Sequence, residues 1–261
     1  MSIHALHIGI NKYKGAPLRG CVNDAKAMAG FFKRAESRKV LLDKDATRKN
    51  ILAELAKLLK RLKADDWGVI TFSGHGTWLP DESGDESDGR DEALVCADLK
   101  LIVDDDFGKL LSKRHPASRL FVVTDSCHSG TVHRFFSAAY SRVRFMPFAN
   151  FASARSGAKR VQGYQFGDWT RSVARRLMAR KAAALPNVIH YSGCEDWEYS
   201  YDANFKGKPY GALTWNLLDC FKAKMTFGDW YGALCQRLPS SEYPQSPCCN
   251  ASAANLRLLV P

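Results

Sequence analysis

The chain has 261 residues, enough for one large α/β domain, and its 46% hydrophobic and 25% charged residues exclude a wholly disordered chain. Its net charge is +11, yet no apolar run approaches the length of a membrane span. The first residues show no basic stretch followed by an apolar one, so no secretory signal is visible and a cytosolic, cytoplasmic protein is expected.

Ile3–Ile10 alternates in hydrophobicity and predicts a strand. A helix is expected from about Asp24 to Arg34, and a short strand over Lys39–Leu42. Thr47 suits the N-cap of a helix at Ile51–Leu62, where Ile51, Leu55, Leu58 and Leu62 share one face. Trp67–Phe72 predicts a strand running into Ser73-Gly74-His75-Gly76. An acidic loop over about Trp78–Asp91 is followed by a hairpin, Ala93–Ala97 with Leu99–Val103. A helix then starts at Asp104 or Asp105 and ends near Lys113. Leu120–Thr124 reads as a buried strand ending at Asp125-Ser126-Cys127-His128-Ser129-Gly130. Residues 131–186 are irregular, with a possible helix at Trp169–Ala184. A strand at Asn187–Tyr191, helices at Tyr210–Lys222 and Phe227–Leu238, and a closing strand at Leu256–Val260 complete the chain. Strands alternating with helices predict an α/β fold: a mostly parallel central sheet with helices on both faces.

In such sheets chemistry collects beyond the C-terminal strand ends. His75 and Cys127 both fall there, each with glycine nearby. A thiol can attack a carbonyl, an imidazole can move its proton, and the backbone N–H groups of Gly76 and Cys127 can hold the resulting oxyanion. Either residue taken singly would read as structural. His128, next along the chain from Cys127, is expected to point away. The eight cysteines contain no Cys-x-x-Cys pair, which argues against a structural zinc site and for reduced thiols.

The charge is unevenly spread. Residues 81–106 hold eleven acids and two bases, and residues 131–186 hold eleven bases and one acid. The basic excess raises nucleic-acid binding as a possibility, but no reading motif accompanies it. The acids Asp85, Asp88, Asp91, Asp104, Asp105 and Asp106 form an oxygen-rich set suited to a hard cation, or simply a solvated loop and a helix N-terminus.

Ser73-Gly74-His75-Gly76-Thr77 and Asp125-Ser126-Cys127-His128-Ser129-Gly130 resemble the paired motifs of metacaspases, the caspase-fold cysteine peptidases. Leu18-Arg19-Gly20-Cys21-Val22-Asn23-Asp24-Ala25, Val103-Asp104-Asp105-Asp106, Tyr191-Ser192-Gly193-Cys194-Glu195-Asp196 and Pro244-Gln245-Ser246-Pro247 are similar to further segments of that family, in the same order. The resemblance implies a single caspase-like domain over 1–261: a large-subunit-like part at 1–130, a basic intersubunit-like segment at 131–186 and a small-subunit-like part at 187–261. It implies His75 as general base, Cys127 as nucleophile, and cleavage after Arg or Lys, with Asp24, Asp125 and Ser73 at the pocket for the residue before the cut (P1). Two carboxylates there would favour a cation and reject an acid. Asp24 also reads as a helix N-cap, and Asp125 as an orienting group for the catalytic loop.

The resemblance further implies calcium bound by Asp91, Asp105 and Asp106, although His133 or Arg134 stands where the family has another acidic ligand. The basic segment would lie over the acidic cleft and be cut by the enzyme itself, or else be a solvated loop. The run Trp197-Glu198-Tyr199-Ser200-Tyr201-Asp202 departs from the family's pattern, and its aromatics read as subsite walls or core. Partners are peptides or proteins with P1 Arg or Lys, and a monomer is expected. The competing functions are a non-catalytic caspase-fold interaction module and a nucleic-acid-binding protein.

Overall fold

The computed structural model describes residues 1–80, 90–111, 113–127, 142–146, 186–194 and 198–261. The expected helix at Trp169–Ala184, His128 and most of the basic segment lie outside the described residues.

Strand β1 (Ile3–Gly9) leads to helix α1 (Cys21–Phe31), β2 (Ser37–Leu42), helix α2 (Arg48–Arg61) and β3 (Trp67–Ser73). Then come β4 (Gly76–Pro80), β5 (Arg90–Val95), β6 (Leu101–Val103), α3 (Asp104–Leu111), β7 (Arg119–Asp125) and β8 (Arg142–Val143). The last part holds β9 (Val188–Ser192), β10 (Tyr201–Phe205), β11 (Lys208–Gly211), α4 (Ala212–Cys220), α5 (Phe227–Cys235), β12 (Cys248–Ala251) and α6 (Ala253–Leu256).

The main sheet runs β12-β9-β7-β3-β1-β2, parallel throughout except at β12. Its central strands are buried on both faces, which explains their nearly continuous apolar runs. Alternate residues feed two cores. Leu6, Ile8, Ile70, Leu120 and Val122 pack on the side that carries Leu55 and Leu59 of α2. Val69, Phe121, Val123, Ile189 and Tyr191 pack on the other side, against Met28 of α1, Leu213 and Leu217 of α4, and Trp230 of α5.

Trp230 anchors the second core. It is fully buried, stacks on Phe31, meets Phe121 at a tilt and Phe221 edge-on, and donates its indole N–H to the Leu217 carbonyl at 2.7 Å. We expect Trp230→Ala to destabilise the fold by about 3–5 kcal/mol, read as a shift in the urea midpoint at unchanged m-value.

Thr47 caps α2 as expected, its hydroxyl accepting the Asn50 N–H. Several elements differ from the sequence reading. The strand expected at Leu256–Val260 is absent: Ser252 caps a short helix there, and the closing strand is Cys248–Ala251. The stretch read as the start of an acidic loop forms β4, paired with β5. Tyr210 begins no helix but belongs to the β10–β11 hairpin. Helix α1 starts at Cys21, so Asp24 sits inside its first turn rather than at its N-cap.

Candidate active site

The two motif strands lie side by side. β3 pairs with β7 in a register that sets Ser73 opposite Asp125. His75 and Cys127 follow two residues beyond each, so the sheet alone brings the two motifs together.

Burial surrounds the histidine. It is 2% exposed, its Nε2 is 2.8 Å from the Ala16 carbonyl, and its ring packs on Tyr13 at 4.6 Å. The Tyr13 hydroxyl accepts the His75 N–H at 3.1 Å and donates to the Val95 carbonyl at 2.9 Å. Nδ1 is buried and makes no hydrogen bond of normal geometry among the described residues, while the backbone of Arg144 lies beside the ring. Burial pushes the imidazole below its ordinary 6.5, against the pull of the Ala16 carbonyl, so the ring is neutral at neutral pH. A neutral ring with one nitrogen held by a carbonyl has its other nitrogen free to accept a proton. Tyr13 and Ala16 carry no motif of their own, and sequence reasoning missed both.

Cys127 is fully buried. Its sulfur is held by Ser200 rather than by His75: the Ser200 N–H donates to Sγ at 2.6 Å, and the Ser200 carbonyl lies 3.3 Å away.

Next to this pair, one guanidinium fills an acidic pocket. Arg144 is 0% exposed. Its Nη2 pairs with Asp24 at 2.7 Å and Asp202 at 3.0 Å. Its Nη1 pairs with Asp125 at 3.1 Å and donates to the Ser73 hydroxyl at 2.6 Å. The carboxylates are themselves fixed. Asp125 accepts from the Ser200 and Thr214 hydroxyls and from the Thr214 N–H. Asp24 accepts from the Ser73 hydroxyl and the Gly211 N–H. Asp202 accepts from the Arg19 and Gly20 N–H groups. Three carboxylates share one cation, and burial pushes the Asp24 carboxyl up to about 6 even though Arg144 pulls it down. Glycine is required at position 211, where a Cβ would come within 2.1 Å of Asp125 Oδ2. Of the expected pocket residues, Asp24, Asp125 and Ser73 all converge. Asp202 was not expected, because it lies in the run that departs from the family pattern.

The backbone of Arg144 is placed as closely as its side chain. Its carbonyl oxygen accepts from Gly76 N at 3.0 Å and from Cys127 N at 3.3 Å, and its N–H donates to the Ser200 carbonyl at 3.0 Å. Upstream, β8 adds to β10 as an antiparallel strand. Downstream, Phe145 forms a parallel bridge with Gly76, and Met146 N donates to the Gly76 carbonyl at 3.1 Å. Residues 142–146 therefore lie across the site as an extended peptide, with a carbonyl between two N–H donors. Such an arrangement can hold a peptide for attack at that carbonyl.

The expected calcium site fits less well. Asp106 is tied to Arg48 at 2.5 Å, and the side chains of Asp91 and Asp105 lie outside the described ones. Among the described residues no group of three or more His, Cys, Asp or Glu side chains is arranged to hold a metal ion. Among them, too, no helix is long and apolar enough to cross a membrane.

The family model for the caspase domain, peptidase family C14, matches residues 2–258. Metacaspase-4 of Arabidopsis thaliana is 44% identical over 145 residues, covering 50% of this chain and 34% of its own length. Metacaspase-1B of Aspergillus oryzae is 32% identical over 254 residues, covering 84% of this chain and 60% of its own length. The chain thus spans less than two thirds of the length of these curated relatives. A solved crystal structure of a protein from Geobacter sulfurreducens superposes with a TM-score of 0.73 at 26% identity, covering 99% of this chain and 97% of that one.

Proposed function

Because the chain belongs to the caspase-domain family, we propose that it is a cysteine endopeptidase that cleaves after Arg, and after Lys, and that its first substrate is its own Arg144–Phe145 bond. The observation that carries this reading is the seating of Arg144, with its guanidinium among three carboxylates and its carbonyl between the Gly76 and Cys127 N–H groups. That hold supports a P1 Arg and leaves no place for an acidic side chain.

In this mechanism the sulfur leaves Ser200, gives its proton to His75, and attacks the Arg144 carbonyl carbon. The Gly76 and Cys127 N–H groups, already aimed at the oxygen, stabilise the charge that develops on it. His75 then protonates the Phe145 nitrogen as the C–N bond breaks, leaving residues 1–144 as a thioacyl ester on Cys127 and a free amine at Phe145. Water, activated by the same imidazole, hydrolyses the thioester. Tyr13 and the Ala16 carbonyl hold the ring in position throughout.

The test is cleavage of fluorogenic peptides with P1 Arg, Lys or Asp, run with calcium and with chelator, and with Cys127→Ala as control. Cleavage after Arg and Lys, absent for Asp and lost in the variant, is the expected result. Calcium dependence would bring the Asp91, Asp105 and Asp106 segment into regulation. No cleavage, in peptides or in the chain itself, would instead favour a caspase-fold interaction module.

A further inference from the structure

We propose that the cleft has a dedicated apolar subsite for the second residue after the cut (P2′), selecting a long apolar side chain such as Met or Leu. This rests on the reading of Arg144–Phe145 as the scissile bond.

The inference starts from Met146. Residues 144 and 146 of an extended strand project to the same side, and 145 projects to the other. Phe145 is accordingly half-buried, whereas Met146 is 2% exposed. Its side chain belongs to the apolar cluster that includes Ile10, Tyr13, Leu18, Val95 and Cys96. The backbone leaves it little choice of position. Gly76 N–H and C=O clamp the chain on either side of Phe145, through the Arg144 carbonyl and the Met146 N–H.

The pocket is continuous with the catalytic histidine's support. Tyr13, a member of this cluster, packs its ring against His75 and accepts the His75 backbone N–H. An external peptide must displace residues 142–146 before it can be cut, and displacement empties the space Met146 filled. A small P2′ side chain would leave a cavity there, and a charged one would be buried without a partner. A linear, flexible apolar side chain restores the packing.

The test uses internally quenched peptides spanning both sides of the cut, because a fluorophore leaving group has no P2′ residue. P1 is Arg, Lys or Asp, and P2′ is Met, Leu, Ala, Gly or Asp. Met and Leu should raise kcat/KM at least about tenfold over Ala, Gly and Asp, the scale of burying one such side chain. Equal kcat/KM across the P2′ series, with Arg or Lys still required at P1, overturns the subsite and leaves the proposed function standing. A P2′ preference with P1 Asp cut as well as Arg and Lys does the reverse.

If no peptide is cut, amide exchange in the intact Cys127→Ala chain decides. Met146→Ser should speed exchange at the Gly76 and Met146 N–H groups by about tenfold, and Met146→Leu should not. Unchanged exchange in Met146→Ser overturns the proposal.

Discussion

Wild-type protein incubated under activating conditions should be cut into two polypeptides, residues 1–144 and 145–261, the second beginning with Phe145. Intact mass and N-terminal sequencing read this directly. Cys127→Ala should slow the cut by about ten-thousandfold or more, the usual effect of deleting a nucleophile that acts with its base as a unit. Arg144→Gln should abolish the cut at this bond while leaving Cys127 in place. The same variant removes the cation that Asp24, Asp125 and Asp202 share among the described residues, so it should destabilise the uncut chain by about 3–5 kcal/mol. The sign of its pH dependence follows from Asp24. With the guanidinium gone, the downward pull on that carboxyl is gone too, so it takes up a proton more readily as pH falls. The Arg144→Gln penalty should therefore be larger at pH 8 than at pH 5.5. A cut elsewhere among the eleven bases of 131–186, with 144–145 intact, would reject the assignment.

Asp202→Asn should lower kcat/KM for P1 Arg peptides by about 30-fold or more, the effect of truncating one partner of a buried ion pair. Arg19 N–H donates to one Asp202 oxygen and Gly20 N–H to the other, so the amide keeps one of the two loop bonds, and an unchanged urea midpoint in the variant assigns the loss to cation binding. The pocket should also titrate. Asp24 stands at about 6 with the cation beside it, and higher without it. The kcat/KM for Arg substrates, which reports the free enzyme, should rise with pH through a step at or above about 6. His75 titrates below 6.5, so the two groups act in neighbouring ranges. Asp24→Asn should remove the upper step and leave the lower one. A profile unchanged in that variant would show that the step belongs elsewhere.

Much of this site is legible in the sequence because its parts stand at the ends of strongly apolar strands. Trp67–Ser73 and Arg119–Asp125 are buried on both faces, so their composition announces them, and the motifs follow at once. What stayed hidden has weak local signals. Cys248–Ala251 has no aliphatic β-branched or aromatic residue, and its strand state comes from pairing with β9. The apolar Leu256–Val260 looks like a strand, but Ser252 caps a helical turn before it, and Leu258 and Val260 pack on the second core. Asp202 lies in a run of aromatics and acids with no periodicity, and becomes part of the pocket because Ser200, just before β10, is bonded to the Cys127 sulfur and β8 pairs with β10. Arg144 is one of eleven bases in its segment, and nothing in its neighbours distinguishes it. Its role depends on long-range geometry: β8 must reach β10, more than fifty residues away in the chain.

The order of strands in the main sheet decides what a break at residue 144 would leave behind. β9 lies between β7 and β12, and so supplies an interior strand from the far side of the break. Trp230, Phe227 and Leu217, also from that side, pack against Phe121 and Val123 from the near side. The two pieces would share one hydrophobic interior and one row of backbone hydrogen bonds, and would stay together without a covalent link. Unfolding would then release two separate chains. Recovery would depend on their meeting, so the midpoint of unfolding would rise with protein concentration, as it does for an obligate dimer.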